Sequence, residues 1–287
     1  MKKLLKIHRE SDAHWVGDGF PVRTIFSYAD LGAAVDPFLL MDYAGPARFE
    51  RAEKPRGIGF HPHRGFETVT IVYQGEIEHG DTAGNKGRIG PGDVQWMTAA
   101  SGVLHEEMHS LEFAKQGGVL QMIQLWVNLP AKDKMSAPRY QGITSGEIPT
   151  VELVGGSLRV IAGEFSGTKG PASTFTPVNL WDIRLKKGAA AELNAPEGFT
   201  CALFVLEGTV CVNGSEETKE AELASFDRAG AGIAVEARED SLVLVLASQP
   251  IGEPVAGYGP FVMNTREEIR KAREDYENGR IGTQILP

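Results

Sequence analysis

Two pairs of residues able to bind a metal lie in the first half of the chain: His61 and His63 in GFHPHRGFETVT, and His105 and Glu107 in GVLHEE. Each pair is spaced i,i+2. Side chains two apart on a β-strand point to the same face. Two such strands meeting inside a barrel would bring three imidazoles and a carboxylate to one point, a donor set that suits a divalent first-row metal. A lone HxH is common by chance, and a buried histidine is often satisfied by a backbone carbonyl. The second pair, separated from the first by turn signals, is what raises the metal reading. All 7 histidines fall at or before His109, which favours a local role in the first half.

The elements that must position these residues read as short strands. Residues 68–73 (TVTIVY) are β-branched and aromatic, the composition of a strand, and Gly75 ends them. Residues 76–79 start a return strand. Residues 86–89, 94–97, 103–108 and 118–129 continue the pattern, punctuated by Gly80-Asp81, Gly84-Asn85 and Gly90-Pro91-Gly92-Asp93. Glycine and proline clusters of this kind mark turns, and a meander of short antiparallel strands predicts a sandwich or barrel. Residues 131–148 are polar, with Pro138, Gly142 and Gly146, and read as an inter-domain linker.

The rhythm then repeats. Gly65-Phe66 leads into ETVTIVYQG, and Gly198-Phe199 leads into TCALFVLEG, without a gap. In that register His61 falls on Asn194 and His63 on Pro196, so the second copy lacks the ligands and one metal per chain is expected. The tail closes with a helix over 265–279. Thr265 and Glu268 form a capping box, Ile269, Ala272 and Tyr276 give an apolar stripe, and Gly279 stops it. The domains are placed at 1–135, bearing the metal, and 136–287, without it.

Composition sets the limits. The 287 residues carry 42% hydrophobic and 23% charged side chains, ordinary for a folded protein. A formal net charge of -9 gives no general pull toward nucleic acid or anionic membrane, so direct nucleic-acid binding is not expected. Two cysteines, Cys201 and Cys211, make no disulfide framework and read as reduced thiols of a cytoplasmic protein. The opening MKKLLKI is followed at once by charged residues and does not read as a signal peptide. No stretch approaches a transmembrane helix.

The segments DPFLLMDY, FHPHRGFETVTIVYQGEIEHGD, PGDVQWMTAASGVLHEE and GPFVMNT together resemble the pirin family of the cupin superfamily, over most of the chain. The resemblance implies an all-β bicupin: two tandem jelly-roll-like β barrels with a short C-terminal helix and a metal in the first barrel only. It carries the ligand roles onto His61, His63, His105 and Glu107, with iron, as Fe(II), the family's usual metal. Zinc, manganese, nickel or copper would be accepted by the same donors. It also implies quercetin 2,3-dioxygenase activity, opening a flavonol with release of carbon monoxide. The partners would then be a small planar aromatic or enolic substrate and dioxygen, with Glu107 as ligand or general base. The alternative is a non-catalytic, iron-binding regulatory or stress-related protein with a protein partner. A monomer is expected. Glu67, Gln95 and Glu106 are candidates to orient the imidazoles, against plain roles on strand surfaces. Phe60, Phe66, Trp96 and Met97 are candidates to line an aromatic-accepting cleft, against plain core roles.

Overall fold

The computed structural model describes residues 1–9 and 12–282. The chain folds as two β units, each built from a seven-stranded and a four-stranded antiparallel sheet. In the unit that carries the histidines, the large sheet runs Arg139–Ile143, Val94–Thr98, Phe66–Gln74, Gly118–Asn128, Phe38–Phe49, Phe20–Ser27, Ala13–Val16. The small sheet runs Gly57–His63, Val103–His109, Ile77–Asp81, Lys86–Ile89. Phe20, Val22, Val72, Ile77, Leu120 and Met122 are among the buried side chains that form its core. Burial alternates along strands such as Val103–His109, as period-2 side-chain placement requires, whereas the central Phe66–Gln74 is buried on both faces.

The other unit repeats the sheet order. Its large sheet runs Leu4–His8, Leu223–Phe226, Thr200–Glu207, Ser241–Ser248, Val178–Leu185, Gly156–Ala162, Thr150–Leu153. Its small sheet runs Ala190–Leu193, Ile233–Ala237, Thr209–Val212, Glu216–Lys219. The strands Phe66–Gln74 and Thr200–Glu207 hold equivalent central positions, as the sequence repeat requires. The region of Asn194 and Pro196 adjoins an apolar core of Leu193, Ala195, Val212, Ile233 and Val235. Cys201 belongs to that core, and Cys211 is buried on Thr209–Val212; both are free thiols.

The units are not contiguous in sequence, which differs from a single break at 135/136. Met1–Ser11, Ala29–Pro37 and Gly146–Ile251 make one; Asp12–Tyr28, Phe38–Ser145 and Gly252–Pro287 make the other. Edge pairing is the reason. The opening strand Leu4–His8 pairs with Leu223–Phe226, and the buried Lys2 ammonium donates to the carbonyls of Phe199 (3.0 Å) and Arg228 (2.8 Å). The segment read as a linker supplies the edge strand Arg139–Ile143, paired with Val94–Thr98.

The terminal helix, Arg266–Glu277, belongs to the histidine-bearing unit. Its capping box forms, with Thr265 and Glu268 satisfying each other's backbone N–H. Ile269 and Ala272 pack with Phe261, Met263 and Ile281, while Tyr276 stays 42% exposed and covers less than the stripe suggests. A second short helix, Leu111–Gln116, was not legible in the apolar pattern; Ser110 caps it by accepting the Phe113 N–H. Among the described residues no helix is long and apolar enough to cross a membrane.

Candidate metal centre

His61 and His63 end the strand Gly57–His63, and His105 lies on the neighbouring Val103–His109, directly opposite His61 in the register. The ladder shifts between His105 and Glu107, and such a bulge re-aims side chains beside a site. The imidazole centroids lie 4.8 Å (His61–His63), 4.3 Å (His61–His105) and 4.8 Å (His63–His105) apart. One ring nitrogen from each can be chosen so that all three sit within 4.8 Å of one another.

The donor atoms are the argument for a metal. His61 Nδ1 pairs with the Gly59 carbonyl at 2.9 Å, which leaves Nε2 to point elsewhere. Among the described residues, fully buried His105 has no hydrogen-bond partner on either ring nitrogen, and His63 Nδ1 likewise has none. Buried polar atoms without partners are costly and rare, and a cation is what these would satisfy. Burial, with the neighbouring imidazoles adding to it, brings the His63 pKa down to about 3 and pushes His105 well below its ordinary value. Both rings are therefore neutral, the form that binds metal.

Glu107 is 3% exposed and shares the pocket wall with His61 and His63, but among the described residues the compact cluster is formed by the three imidazoles. Its carboxylate accepts bonds from Thr70 Oγ1 (3.0 Å) and Gln95 Nε2 (3.1 Å) on Oε1 and from Gln124 Nε2 (2.7 Å) on Oε2. Of the three orienting candidates, Gln95 thus touches the site through Glu107. Glu67 instead accepts from Thr98 at 2.7 Å and lies 3.8 Å from Arg139, and burial pushes its carboxyl up to about 7. Glu106 lies beside Gly80.

Two groups behind the cluster were not visible in the sequence. The His79 ring lies 5.4 Å from that of His105, its Nε2 is 3.2 Å from Asp81 Oδ2, and it stacks on Tyr140 at 4.8 Å. Gly87 makes room for this stack: a Cβ there would stand 1.8 Å from the Tyr140 hydroxyl.

In front of the cluster a pocket of about 220 Å³ opens onto His61, His63 and Glu107. Its apolar walls include Phe20, Val22, Met122 and Trp126, and Asp42 and Gln124 supply polar groups. The candidates Phe60, Phe66, Trp96 and Met97 do not line it. Phe60 is 42% exposed, Trp96 and Met97 are core, and Phe66 packs behind against His63 and Trp126. The period-2 reading of GVLQMIQLWVN would have found Met122, Gln124 and Trp126 on one face.

Residues 19–127 match the family model Pirin, and residues 180–282 match Pirin C-terminal cupin domain. This chain belongs to the pirin family. A Pseudomonas aeruginosa pirin relative, named as a candidate quercetin 2,3-dioxygenase, is 57% identical over 283 residues, 98% of this chain and 99% of its own. A pirin-like protein of Solanum lycopersicum is 40% identical over 269 residues, 93% of this chain and 88% of its own. The crystal structure of a quercetin 2,3-dioxygenase from Acinetobacter baumannii superposes with a TM-score of 0.96 at 51% identity, covering 99% of this chain and 100% of that one. The all-β bicupin architecture is shared with that crystal structure.

Proposed function

We propose that this pirin is a metal-dependent dioxygenase of the quercetin 2,3-dioxygenase type, holding one divalent ion, Fe(II), per chain through His61, His63, His105 and Glu107. The observation that carries the reading is the cluster of three imidazoles beside an apolar pocket, with His63 and His105 buried, neutral and holding ring nitrogens unpartnered among the described residues. Two similar proteins bearing the quercetin 2,3-dioxygenase name support it. The ion, when bound, raises the acidity of a coordinating hydroxyl and supplies redox chemistry toward dioxygen.

The chain's own work is positional. The three imidazoles present their ring nitrogens from two paired strands. Glu107 accepts the substrate hydroxyl proton as that oxygen enters the site, or turns onto the ion as a fourth donor. Thr70, Gln95 and Gln124 fix where its carboxylate stands. Phe20, Met122 and Trp126 keep water from the reacting ring, which strengthens every electrostatic contact inside. The substrate's planar ring is held for attack, so the gain is one of orientation. The free buried thiols support a reducing, cytoplasmic setting.

The test is to incubate anaerobically iron-loaded protein with quercetin and then oxygen. The ring-opened depside and carbon monoxide should appear together and vanish in His61→Ala. Oxygen uptake no greater than a free-iron control, across iron, manganese, nickel and copper forms, would defeat the reading.

A further inference from the structure

The pocket in front of the histidines is small and chemically two-sided. Its volume is about 220 Å³. A dry cavity of about 150 Å³ holds a benzene ring, whereas pockets that enclose drug-sized ligands begin near ~300 Å³. The space therefore encloses one substituted ring, and most of a three-ring flavonol would stand outside it.

Two of its polar lining groups, Asp42 and Gln124, belong to a continuous row. Thr24, Asp42, Gln124, Thr70 and Gln95 are successive register partners across five neighbouring strands of the large sheet. Directly opposed residues share a face. Gln95, Thr70 and Gln124 spend hydrogen bonds on Glu107. Asp42 does not. Its side chain accepts a single hydrogen bond among the described residues, from Thr24 Oγ1 to Oδ1 at 2.6 Å, and it lines the pocket. Asp42 is half-buried beside Phe20, Val22 and Met122, and its ionised carboxylate has acceptor capacity left for a further donor. A hydroxyl arriving on a ligand would supply one.

We infer that the pocket is built for a single hydroxylated ring of the 3-hydroxy-4-pyranone kind, the oxygen-bearing ring that a flavonol also contains. Its adjacent hydroxyl and keto oxygens face the histidines and a further hydroxyl is donated to Asp42. This rests on the metal-centred reading above and narrows its substrate class. The flavonol ring system would enter by its pyranone edge only, with its remaining rings in solvent, so they would add little to affinity.

The experiment uses full-length protein loaded with nickel(II), without oxygen, so that binding is read without turnover. Isothermal titration compares 5-hydroxy-2-hydroxymethyl-4-pyranone, its 2-methyl analogue and quercetin, and metal analysis follows desalting. We expect the hydroxymethyl ring to bind at least as tightly as quercetin. It should also bind roughly ten- to hundredfold tighter than the methyl ring, the range for a hydrogen bond to a charged group. Asp42→Leu should erase that ratio and Asp42→Asn should reduce it, each with wild-type nickel content. Quercetin binding more than tenfold tighter than either ring would overturn the inference, and that comparison needs no variant. So would an unchanged hydroxymethyl-to-methyl ratio in folded Asp42→Leu, loss of nickel from that variant, or removal of nickel by the pyranones. Failure of the metal-centred reading looks different: no ligand would bind wild type better than nickel-free His61→Ala.

Discussion

Arg64 follows His63 directly and is nearly buried, 5% exposed. Its Nε donates to the Ser101 carbonyl at 2.6 Å, and its Nη1 donates to Asp275 Oδ2 of the terminal helix at 2.8 Å. Asp275, 6% exposed, also accepts from Arg280 Nε at 2.8 Å and Lys271 Nζ at 3.2 Å. Asp275→Ala would leave a buried guanidinium without its counter-charge, a change that costs roughly 3–5 kcal/mol. Replacing both partners, as Arg64→Met with Asp275→Leu, should cost far less, because apolar pairs of similar volume often match a buried ion pair. The assay is urea unfolding of the metal-free protein, followed by fluorescence and circular dichroism so that non-coincident transitions of the two units are seen. The Arg64 bond holds the Asp275 carboxyl below the ordinary carboxylate range. Its folded pKa is thus lower than its unfolded one. The stabilisation is complete above about pH 4 and fades as pH falls through the lowered folded value, a slope that Asp275→Asn should remove. A loss under about 1 kcal/mol in Asp275→Ala, or a double variant as weak as the single one, would refute the reasoning.

Lys134 should act as a second pin: its Nζ donates to Gly65 O (2.7 Å), Asn128 Oδ1 (2.6 Å) and Val262 O (3.1 Å). Lys134→Met should cost roughly 1–3 kcal/mol per acceptor left unsatisfied, read as a fall in the urea midpoint. Burial brings the Lys134 pKa down to about 8 from 10.5, so wild-type stability should gain as pH rises from 8 to 10.5, and Lys134→Met should lose that gain. His63→Ala should lose the metal while keeping the β circular dichroism signal, since the ladder and not the ligand holds the strand; unfolding on this change would count against it. Gln124→Leu removes the shortest bond to Glu107 and should lower metal affinity about 10–100-fold, the usual effect of disturbing a supporting partner. Unchanged affinity in a competition titration would mean that Glu107 is not held for the metal.

Period-2 alternation made the histidine pairs legible, and the glycine-bounded repeat made the second unit legible. Thr265 and Glu268 announced the terminal helix because a capping box is local. What escaped was everything set by pairing between distant strands. Asp42, Gln124, Thr70 and Gln95 form one row only through the register of the large sheet, and nothing along the chain aligns them. His79 reads as an ordinary strand residue until Val103–His109 is placed beside it. Leu4–His8 and Arg139–Ile143 are too short to declare which sheet edge they complete. Of the aromatic candidates near the histidines in sequence, Phe60 is exposed, Trp96 is core and Phe66 packs behind against His63 and Trp126, while Phe20 and Trp126, far away in sequence, reach the pocket.

Anomalous diffraction from crystals of anaerobically iron-loaded protein would locate a single ion at the histidine cluster. One iron peak per chain is expected, bonded to His61, His63 and His105, with the Glu107 carboxylate beside it. No peak at that cluster, or an equally strong peak in the unit that carries Asn194 and Pro196, would contradict that expectation.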